Sequence, residues 1–183
     1  MALGSVGDGI VVLREWDVED AEWYASTAAR DELIQRFTTE SPTVTAEQVR
    51  AAIVALRARP VGAAGFLIAD AATGERLGNI ALTHDHGAGE VSYWLAPHAR
   101  GRGLATRALF LFSQWAFRTL DLRELCLWAR VDNKASRAVA ERAGYERDPT
   151  RDQRRVVKGE TWETVAYARR RPRVLSQRQA MDT

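Results

Sequence analysis

Cysteine, lysine and histidine are scarce in this chain of 183 residues. The single cysteine, Cys126, excludes a disulfide within the chain, and its apolar neighbours favour an inert buried thiol over a nucleophile. The three histidines and the cysteine do not have the spacing of a zinc site. The composition therefore favours a protein that has neither a structural disulfide nor a metal.

Long hydrophobic runs are also missing. None approaches the roughly 18 apolar residues that a membrane-spanning helix requires, and residues 1–8 lack the basic and apolar regions of a secretion signal. We therefore expect a cytoplasmic protein without a membrane partner. The net charge is only +2, and acidic residues interrupt the arginine-rich last third of the chain, so no direct nucleic-acid binding is expected.

Apolar and charged residues make up 46% and 27% of the chain, as is usual for soluble globular domains. Patterns of period two and period 3.6 follow one another in the order β-α-α-β-β-β-α-β-α-β-β. We predict one α/β domain over residues 1–171 and a polar, disordered tail over residues 172–183. Its sheet should be mixed, because a run of hairpins cannot be wholly parallel.

Several local predictions bear on a possible site. Glu90–Ala96 alternates as a strand, and residues 84–89 ("HDHGAG") are predicted to form a polar loop before it. One helix should begin at about Gly103 or Leu104. Another should begin after Asn133, whose side chain can cap it.

The stretch "PHARGRGLATRAL", residues 97–109, places two glycines between arginines directly before a predicted helix. A helix N-terminus presents unpaired N–H groups and partial positive charge, and glycine lets a ligand approach the backbone closely. Arg100, Arg102 and Arg107 can add charge-assisted hydrogen bonds. This pattern predicts a diphosphate site, although a simple glycine turn with solvated arginines fits the same residues.

Two common nucleotide motifs do not describe this loop. No Gly-Lys-Ser/Thr follows the glycines, which excludes a P-loop. The dinucleotide motif G-x-G-x-x-G requires a third glycine where Thr106 stands. Asp121 precedes the next predicted strand, whereas the ribose-binding acid of that motif ends one.

A third motif fits better. Arg100-Gly101-Arg102-Gly103-Leu104-Ala105 matches Q/R-x-x-G-x-G/A, the acetyl-CoA signature of the GCN5-related N-acetyltransferase (GNAT) superfamily. "YWLAPHARGRGLATRAL" and "VDNKASRAVAERAGY" together resemble its RimJ/RimL-type branch, which acetylates N-terminal amines of ribosomal proteins and some small molecules. "KGETWETVAYARRR" is similar to that branch's closing strand. The resemblance covers most of residues 10–171 and implies a GNAT-like fold, with a mixed, mostly antiparallel sheet, flanking helices and splayed central strands.

The resemblance implies acetyl-CoA as cosubstrate and no metal. The strand before the loop would pair with the pantetheine arm through Trp94, Leu95 and Ala96, and an N–H near Leu95 would stabilise the oxyanion. Asn133 matches the asparagine that binds pantetheine, although a simple helix cap also accounts for it. The diphosphate would lie on the backbone of the signature residues, which are Arg100, Gly101, Arg102, Gly103, Leu104 and Ala105.

The resemblance also suggests a general base. Glu90 matches the strand carboxylate that accepts a proton in some members of the superfamily. His84, Asp85 and His86 are alternatives in the adjoining loop, and a water relay is another. An α-amine ionises roughly 2.5 pKa units below a lysine amine, so an N-terminal substrate needs the least help from a base.

The residue expected to act as general acid differs from that of the wider superfamily. Many members carry a tyrosine seven residues after the helix-start asparagine, where this chain has Ala140. Asn133-Lys134-Ala135-Ser136 instead matches the N-x-x-S of the RimJ/RimL branch. Ser136 is therefore the candidate for protonating the thiolate and for contact with the cofactor, although it also fits a serine that satisfies a first-turn N–H.

The acceptor stays open at this level. A protein or peptide N-terminus competes with a small amine such as an antibiotic, polyamine or amino acid, and Glu32, Glu40 or Asp85 could attract a cationic acceptor. A non-catalytic CoA-binding module is a further alternative. The protein is expected to be a monomer or a homodimer.

Overall fold

The structure, a computed structural model, describes residues 5–58 and 62–172. All but the first residue of the predicted polar tail lies outside the described residues, so the domain boundary at residue 171 stays a prediction. The strands are β1 (Val6–Gly7), β2 (Val11–Arg14), β3 (Ala63–Asp70), β4 (Arg76–Asp85), β5 (Ala88–Leu95), β6 (Glu124–Arg130), β7 (Glu146–Arg147), β8 (Gln153–Val157) and β9 (Glu160–Arg170). The helices are α1 (Ala21–Arg30), α2 (Glu32–Phe37), α3 (Ala46–Arg57), α4 (Leu104–Thr119) and α5 (Lys134–Arg142).

The strands form one sheet in the order β1-β2-β3-β4-β5-β6-β9-β7, with β8 paired to β9. Among the described strands, every pair is antiparallel except β5–β6. That parallel pairing joins only residues 88–90 to residues 124–126, and beyond it the two strands separate. The predicted mixed, mostly antiparallel sheet with splayed central strands is confirmed.

Helices cover both faces of the sheet. Successive residues of β3 alternate between the two faces, as a pleated strand requires. Phe66 and Ile68 belong to the apolar core shared with α4, whereas Leu67 and Ala69 belong to the core shared with α1 and α3. All four are fully buried, and each large side chain buried in this way contributes about 1.5–3 kcal/mol.

Local capping sets where the site-forming helices begin. Gly103 has φ 74° and ψ 3°, a left-handed conformation that glycine adopts without strain, and α4 begins at the next residue. The Asn133 side chain accepts a hydrogen bond from the Ser136 N–H and caps α5. Both helix starts agree with the sequence predictions.

The predicted polar loop over residues 84–89 is wrong. β4 continues to Asp85 and β5 begins at Ala88, so a two-residue turn joins them. Both turn residues, His86 (φ 48°) and Gly87 (φ 83°), have positive φ. Such turns match the right-handed twist of the flanking strands, and the two strands therefore pair to their ends.

A buried carboxylate joins β2, β4 and the start of α1. Asp20 is 1% exposed and accepts hydrogen bonds from Arg14 (2.7 and 2.9 Å), from Arg76 (2.6 Å) and from the Asp17 N–H (2.8 Å). Burial alone would raise the pKa of Asp20, but these donors outweigh it and lower the pKa from 3.8 to about 2. Asp20 therefore stays ionised and holds the outer part of the sheet to α1.

Candidate active site

A cavity of about 590 Å³ opens where β5 and β6 separate. Residues of α2, β4, β5 and β6 line it, together with the starts of α4 and α5. Most of the residues predicted to form the site border this one cavity. They are Glu90, Trp94, Leu95, Arg100, Gly101, Ala105, Asn133 and Ser136.

Beyond Glu90, one edge of β5 faces the opening and pairs with no other described strand. The Ala96 N–H donates to the Leu77 carbonyl (2.8 Å), so the backbone groups of Ala96 and Trp94 point toward β4. Because these directions alternate along a strand, the N–H of Leu95 points into the gap between β5 and β6. Of the three residues predicted to pair with pantetheine, only Leu95 turns its N–H to the cavity.

The loop before α4 carries a run of unpaired donors. No residue within the described part of the chain accepts a hydrogen bond from the backbone N–H groups of residues 101–106. Gly101 (φ 75°) and Gly103 have no atom within 4 Å of the place where a Cβ would stand. The hydroxyl of Thr106 is buried without a partner in the described structure. This open, donor-rich surface at a helix N-terminus fits a diphosphate.

The loop arginines differ in their freedom to bind a phosphate. Arg100 forms a two-pronged ion pair with Asp31 (2.6 and 3.1 Å) and also donates to the Leu95 carbonyl (2.8 and 3.0 Å). Arg107 is paired with Asp8 at 2.8 Å. Arg102 is exposed, which leaves it as the best placed of the three for a side-chain contact with an anion.

Asp31, the ion-pair partner of Arg100, also caps the start of α2. Burial raises the pKa of Asp31, but hydrogen bonds from Arg100 and from the Ile34 N–H lower it by more. The same carboxylate caps α2 through that Ile34 N–H (2.8 Å). Arg100 is therefore a strut that joins the glycine loop to α2 and to the free edge of β5, a role that its position in the signature does not indicate.

Glu90 lies at the end of the cavity where β5 and β6 are still paired. Its Oε1 accepts from the Trp128 indole N–H (2.9 Å), and its Oε2 lies 3.4 Å from the Arg155 guanidinium, which stacks on the Trp128 ring. Cys126 stands directly opposite on β6, and burial raises the pKa of its thiol. Glu90 is thus a held, half-exposed carboxylate. Its neighbour Cys126 is only partly buried, which corrects the prediction of a buried thiol, because alternate residues of β6 face the cavity side.

The alternative bases lie elsewhere. His84, Asp85 and His86 occupy the β4–β5 hairpin tip and are absent from the residues lining this cavity. The side chains of Asp85 and His86 are 83% and 93% exposed. The structure therefore brings Glu90, and none of these three, to the cavity wall.

Ser136 is paired with a residue that the sequence did not single out. Its Oγ lies 2.9 Å from the Tyr93 hydroxyl, which also lies within hydrogen-bonding distance of the Ser136 carbonyl (3.2 Å). Burial raises the pKa of Tyr93 to about 12, although the hydrogen bond to Ser136 opposes that rise. Tyr93 is therefore protonated at neutral pH. Its place between Val91 and Leu95, on the strand face next to the gap, is the signal that could have identified it.

The half of the cavity beneath α2 has a rigid aromatic wall. Trp94 is 5% exposed, and its indole N–H donates to Glu40 (3.1 Å), which also accepts from the Tyr24 hydroxyl (2.5 Å). Tyr24 and Trp94 meet edge to face at 5.1 Å. Glu40 is therefore a structural acceptor in this wall as well as an acidic group at the cavity, a role that its sequence position did not suggest.

The described residues contain neither a cluster suited to a metal nor a helix suited to a membrane. No cluster of His, Cys, Asp and Glu within residues 5–58 and 62–172 has the arrangement of a metal site. Over the same ranges, no helix combines the length and the hydropathy needed to cross a membrane.

Comparison with known proteins identifies the fold family. The model of the acetyltransferase (GNAT) domain matches residues 11–146, which is most of the chain. The chain belongs to the GNAT acetyltransferase family. The predicted RimJ/RimL-type resemblance is confirmed by its relatives, which include ribosomal-protein acetyltransferases.

Three relatives illustrate this. Mycobacterium smegmatis RimJ, solved in complex with CoA-disulfide, has a TM-score of 0.78 and 21% identity, over 93% of this chain and 90% of that chain. The Vibrio fischeri ribosomal-protein-S5-alanine acetyltransferase has a TM-score of 0.78 and 18% identity, over 91% and 96%. A Bacillus subtilis (strain 168) protein, provisionally described as the ribosomal N-acetyltransferase YdaF, is 39% identical over 56 residues. That match spans 31% of this chain and 31% of the relative.

Proposed function

We propose that this protein transfers the acetyl group of acetyl-CoA to the α-amine at the N-terminus of a protein, as ribosomal-protein acetyltransferases do. The observation that carries the proposal is one cavity that joins a donor-rich helix start, a free strand edge and a carboxylate. The CoA-bound relative and the ribosomal-protein names of the neighbours support it. An acceptor of this kind would place the reaction in the cytoplasm.

The diphosphate, the pantetheine arm and the thioester of the cosubstrate each have candidate contacts. The N–H groups of residues 101–106 and the Arg102 side chain would hold the diphosphate. The gap between β5 and β6 would take the pantetheine arm, with Asn133 beside it. The Leu95 N–H would then face the thioester carbonyl and stabilise the negative charge that develops on its oxygen.

The transfer requires a neutral amine. The amine loses a proton to Glu90, directly or through water, and its nitrogen forms a bond to the thioester carbon. The carbon–sulfur bond then breaks, and the thiolate takes a proton from Ser136. The Tyr93 hydroxyl, 2.9 Å from Ser136 Oγ, can replace that proton. The attacking nitrogen loses a second proton as it becomes an amide, and this proton passes through solvent to restore the Tyr93 hydroxyl, while Glu90 releases the first proton to solvent. The products are the acetylated amine and CoA.

The test is CoA-thiol release across N-terminal peptides, lysine peptides and small amines, with mass spectrometry to locate the acetyl group. We expect α-amine acetylation of a peptide. Replacing both Glu90→Gln and Ser136→Ala should slow transfer at least 100-fold and leave the thermal shift caused by acetyl-CoA intact. Acetylation of small amines alone would contradict the acceptor assignment. Acetyl-CoA binding without transfer to any amine would indicate a non-catalytic CoA-binding module.

A further inference from the structure

Asn79 is a buried polar residue whose side chain has no hydrogen-bond partner among the described residues. It is 8% exposed and borders the cavity beside the Trp94 wall. Within the described part of the chain, no group donates to its amide or accepts from it. The amide atoms are not fully enclosed, so water in the cavity can reach them and a ligand can replace that water. Its orientation toward the cavity suggests that a ligand supplies the missing bonds.

Three cross-strand pairs form the cavity floor beneath α2. Asn79 stands opposite Trp94, Ala81 opposite Ser92, and Thr83 opposite Glu90, and directly opposite residues project from the same face of a sheet. The middle pair is small, so it leaves a trough between the two outer pairs. Successive pairs on one face lie about 7 Å apart along a strand.

This spacing suits an extended chain. An amine held over the Ala81–Ser92 pair has the pair that contains Glu90 about 7 Å away in one direction along the strands. The pair that contains Asn79 lies about as far away in the other direction. One extended residue spans about 3.4 Å, and a hydrogen bond adds about 2.9 Å. The peptide group that follows the first residue of an acceptor therefore reaches the Asn79 amide.

The chemistry of the Asn79 amide distinguishes between acceptors. It offers both a donor and an acceptor, which complement the carbonyl and the N–H of a peptide group. A protonated alkylamine or polyamine offers only donors. A free amino acid would bring a carboxylate, but the lining cation in the described structure, Arg100, is already paired with Asp31.

We infer that Asn79 binds the first peptide group of the acceptor and thereby selects a polypeptide N-terminus over a simple amine. The inference rests on the proposed function, because it assigns a role within the same cavity. The Trp94 wall keeps Asn79 from moving away, since Glu40 holds the indole and Tyr24 supports it.

The decisive experiment removes the hydrogen bond between Asn79 and the acceptor in two ways, by changing the acceptor and by changing Asn79. A peptide acceptor is compared with its analogue in which an ester replaces the first peptide bond, so that one N–H is lost. We expect the wild-type protein to show about tenfold lower kcat/KM for the ester analogue. Asn79→Leu should lower kcat/KM for the peptide about as much and should no longer distinguish peptide from ester.

Gln114→Leu is the matched control, because it also replaces a side-chain amide with leucine, on α4 at a residue absent from the cavity lining. It should behave as the wild type does. If Asn79→Leu does not fold, Asn79→Ala and the wild-type comparison of peptide with ester still decide the question. Equal kcat/KM for both acceptors in the wild-type protein would overturn the assignment.

The experiment also distinguishes this inference from the proposed function. If no peptide is acetylated while a small amine is, the proposed function fails. If peptides are acetylated but an ester is accepted equally well, only the role of Asn79 fails.

Discussion

Gly103→Val tests whether the loop before α4 binds acetyl-CoA through its backbone. Gly103 has φ 74°, and apart from its chain neighbours no atom of the described residues lies within 4 Å of an added Cβ. The substitution therefore meets no clash in the free protein, but it forces an L-residue into the left-handed region. That costs about 1–2 kcal/mol, and each kcal/mol lowers the Tm of a domain of this size by about 2–4 °C.

The stabilisation expected from bound acetyl-CoA is larger than this cost. Acetyl-CoA at a hundred times its Kd should stabilise the wild-type protein by about 2.7 kcal/mol, which corresponds to a rise in Tm of about 5–11 °C. In Gly103→Val the new side chain stands in the space that the diphosphate would enter. We therefore expect the variant to lose most of this rise, as measured by differential scanning fluorimetry over a titration of acetyl-CoA.

Gly159→Val is the matched control. Gly159 lies in the β8–β9 turn with φ 79° and also has no atom within 4 Å of an added Cβ. Its substitution should cost the free protein about the same stability and leave the acetyl-CoA shift unchanged. A full ligand shift in Gly103→Val would refute the assignment of the loop, whereas loss of the shift in both variants would show that strain alone explains it.

Two further predictions concern a proton donor and a buried carboxylate. Ser136→Ala should lower kcat by about 100-fold with little change in acetyl-CoA affinity. Tyr93→Phe should lower kcat less, because this change removes only the hydrogen-bond partner of Ser136. An unchanged steady-state kcat in both variants would refute the role of Ser136 as proton donor. Asp20→Asn should reduce the free energy of unfolding at pH 7 by about 2 kcal/mol, which is the pKa shift of Asp20 from 3.8 to about 2 converted at about 1.4 kcal/mol per pKa unit. Arg14 and Arg76 are 33% and 38% exposed, so water can still solvate them after the substitution. Folding lowers the pKa of Asp20 from 3.8 to about 2, so its contribution to stability is present above about pH 4 and is lost as the pH falls toward 2. In urea unfolding, the stability of Asp20→Asn should therefore fall less steeply with acid than that of the wild type. Parallel curves of stability against pH for the two proteins would contradict this.

Much of the fold was predictable because its signals are local. Capping residues and alternating apolar residues act within one or two turns, so the start of α4 and the cap at Asn133 could be located from the sequence. The order of the elements required a mixed sheet. The β4–β5 turn was missed, because positive φ at His86, a residue other than glycine, leaves no clear sequence signal.

The site itself was only partly predictable. The glycine loop is contiguous, so residues 100–105 could be identified as a group. The Arg100–Asp31 pair joins residues 69 positions apart, and the Tyr93–Ser136 pair joins residues 43 apart. No local pattern reports such contacts.

The sequence by itself determined the backbone of the glycine loop, the starts of α4 and α5 and the family, because these depend on neighbouring residues. Only the tertiary structure decided which side chains meet in the cavity. Arg100 is a strut there, Tyr93 supports Ser136, and the Asn79 side chain forms no hydrogen bond with any residue that the structure describes. The physical reason is that sequence periodicity shows which face of an element is apolar, whereas the register of distant strands sets what lies opposite that face.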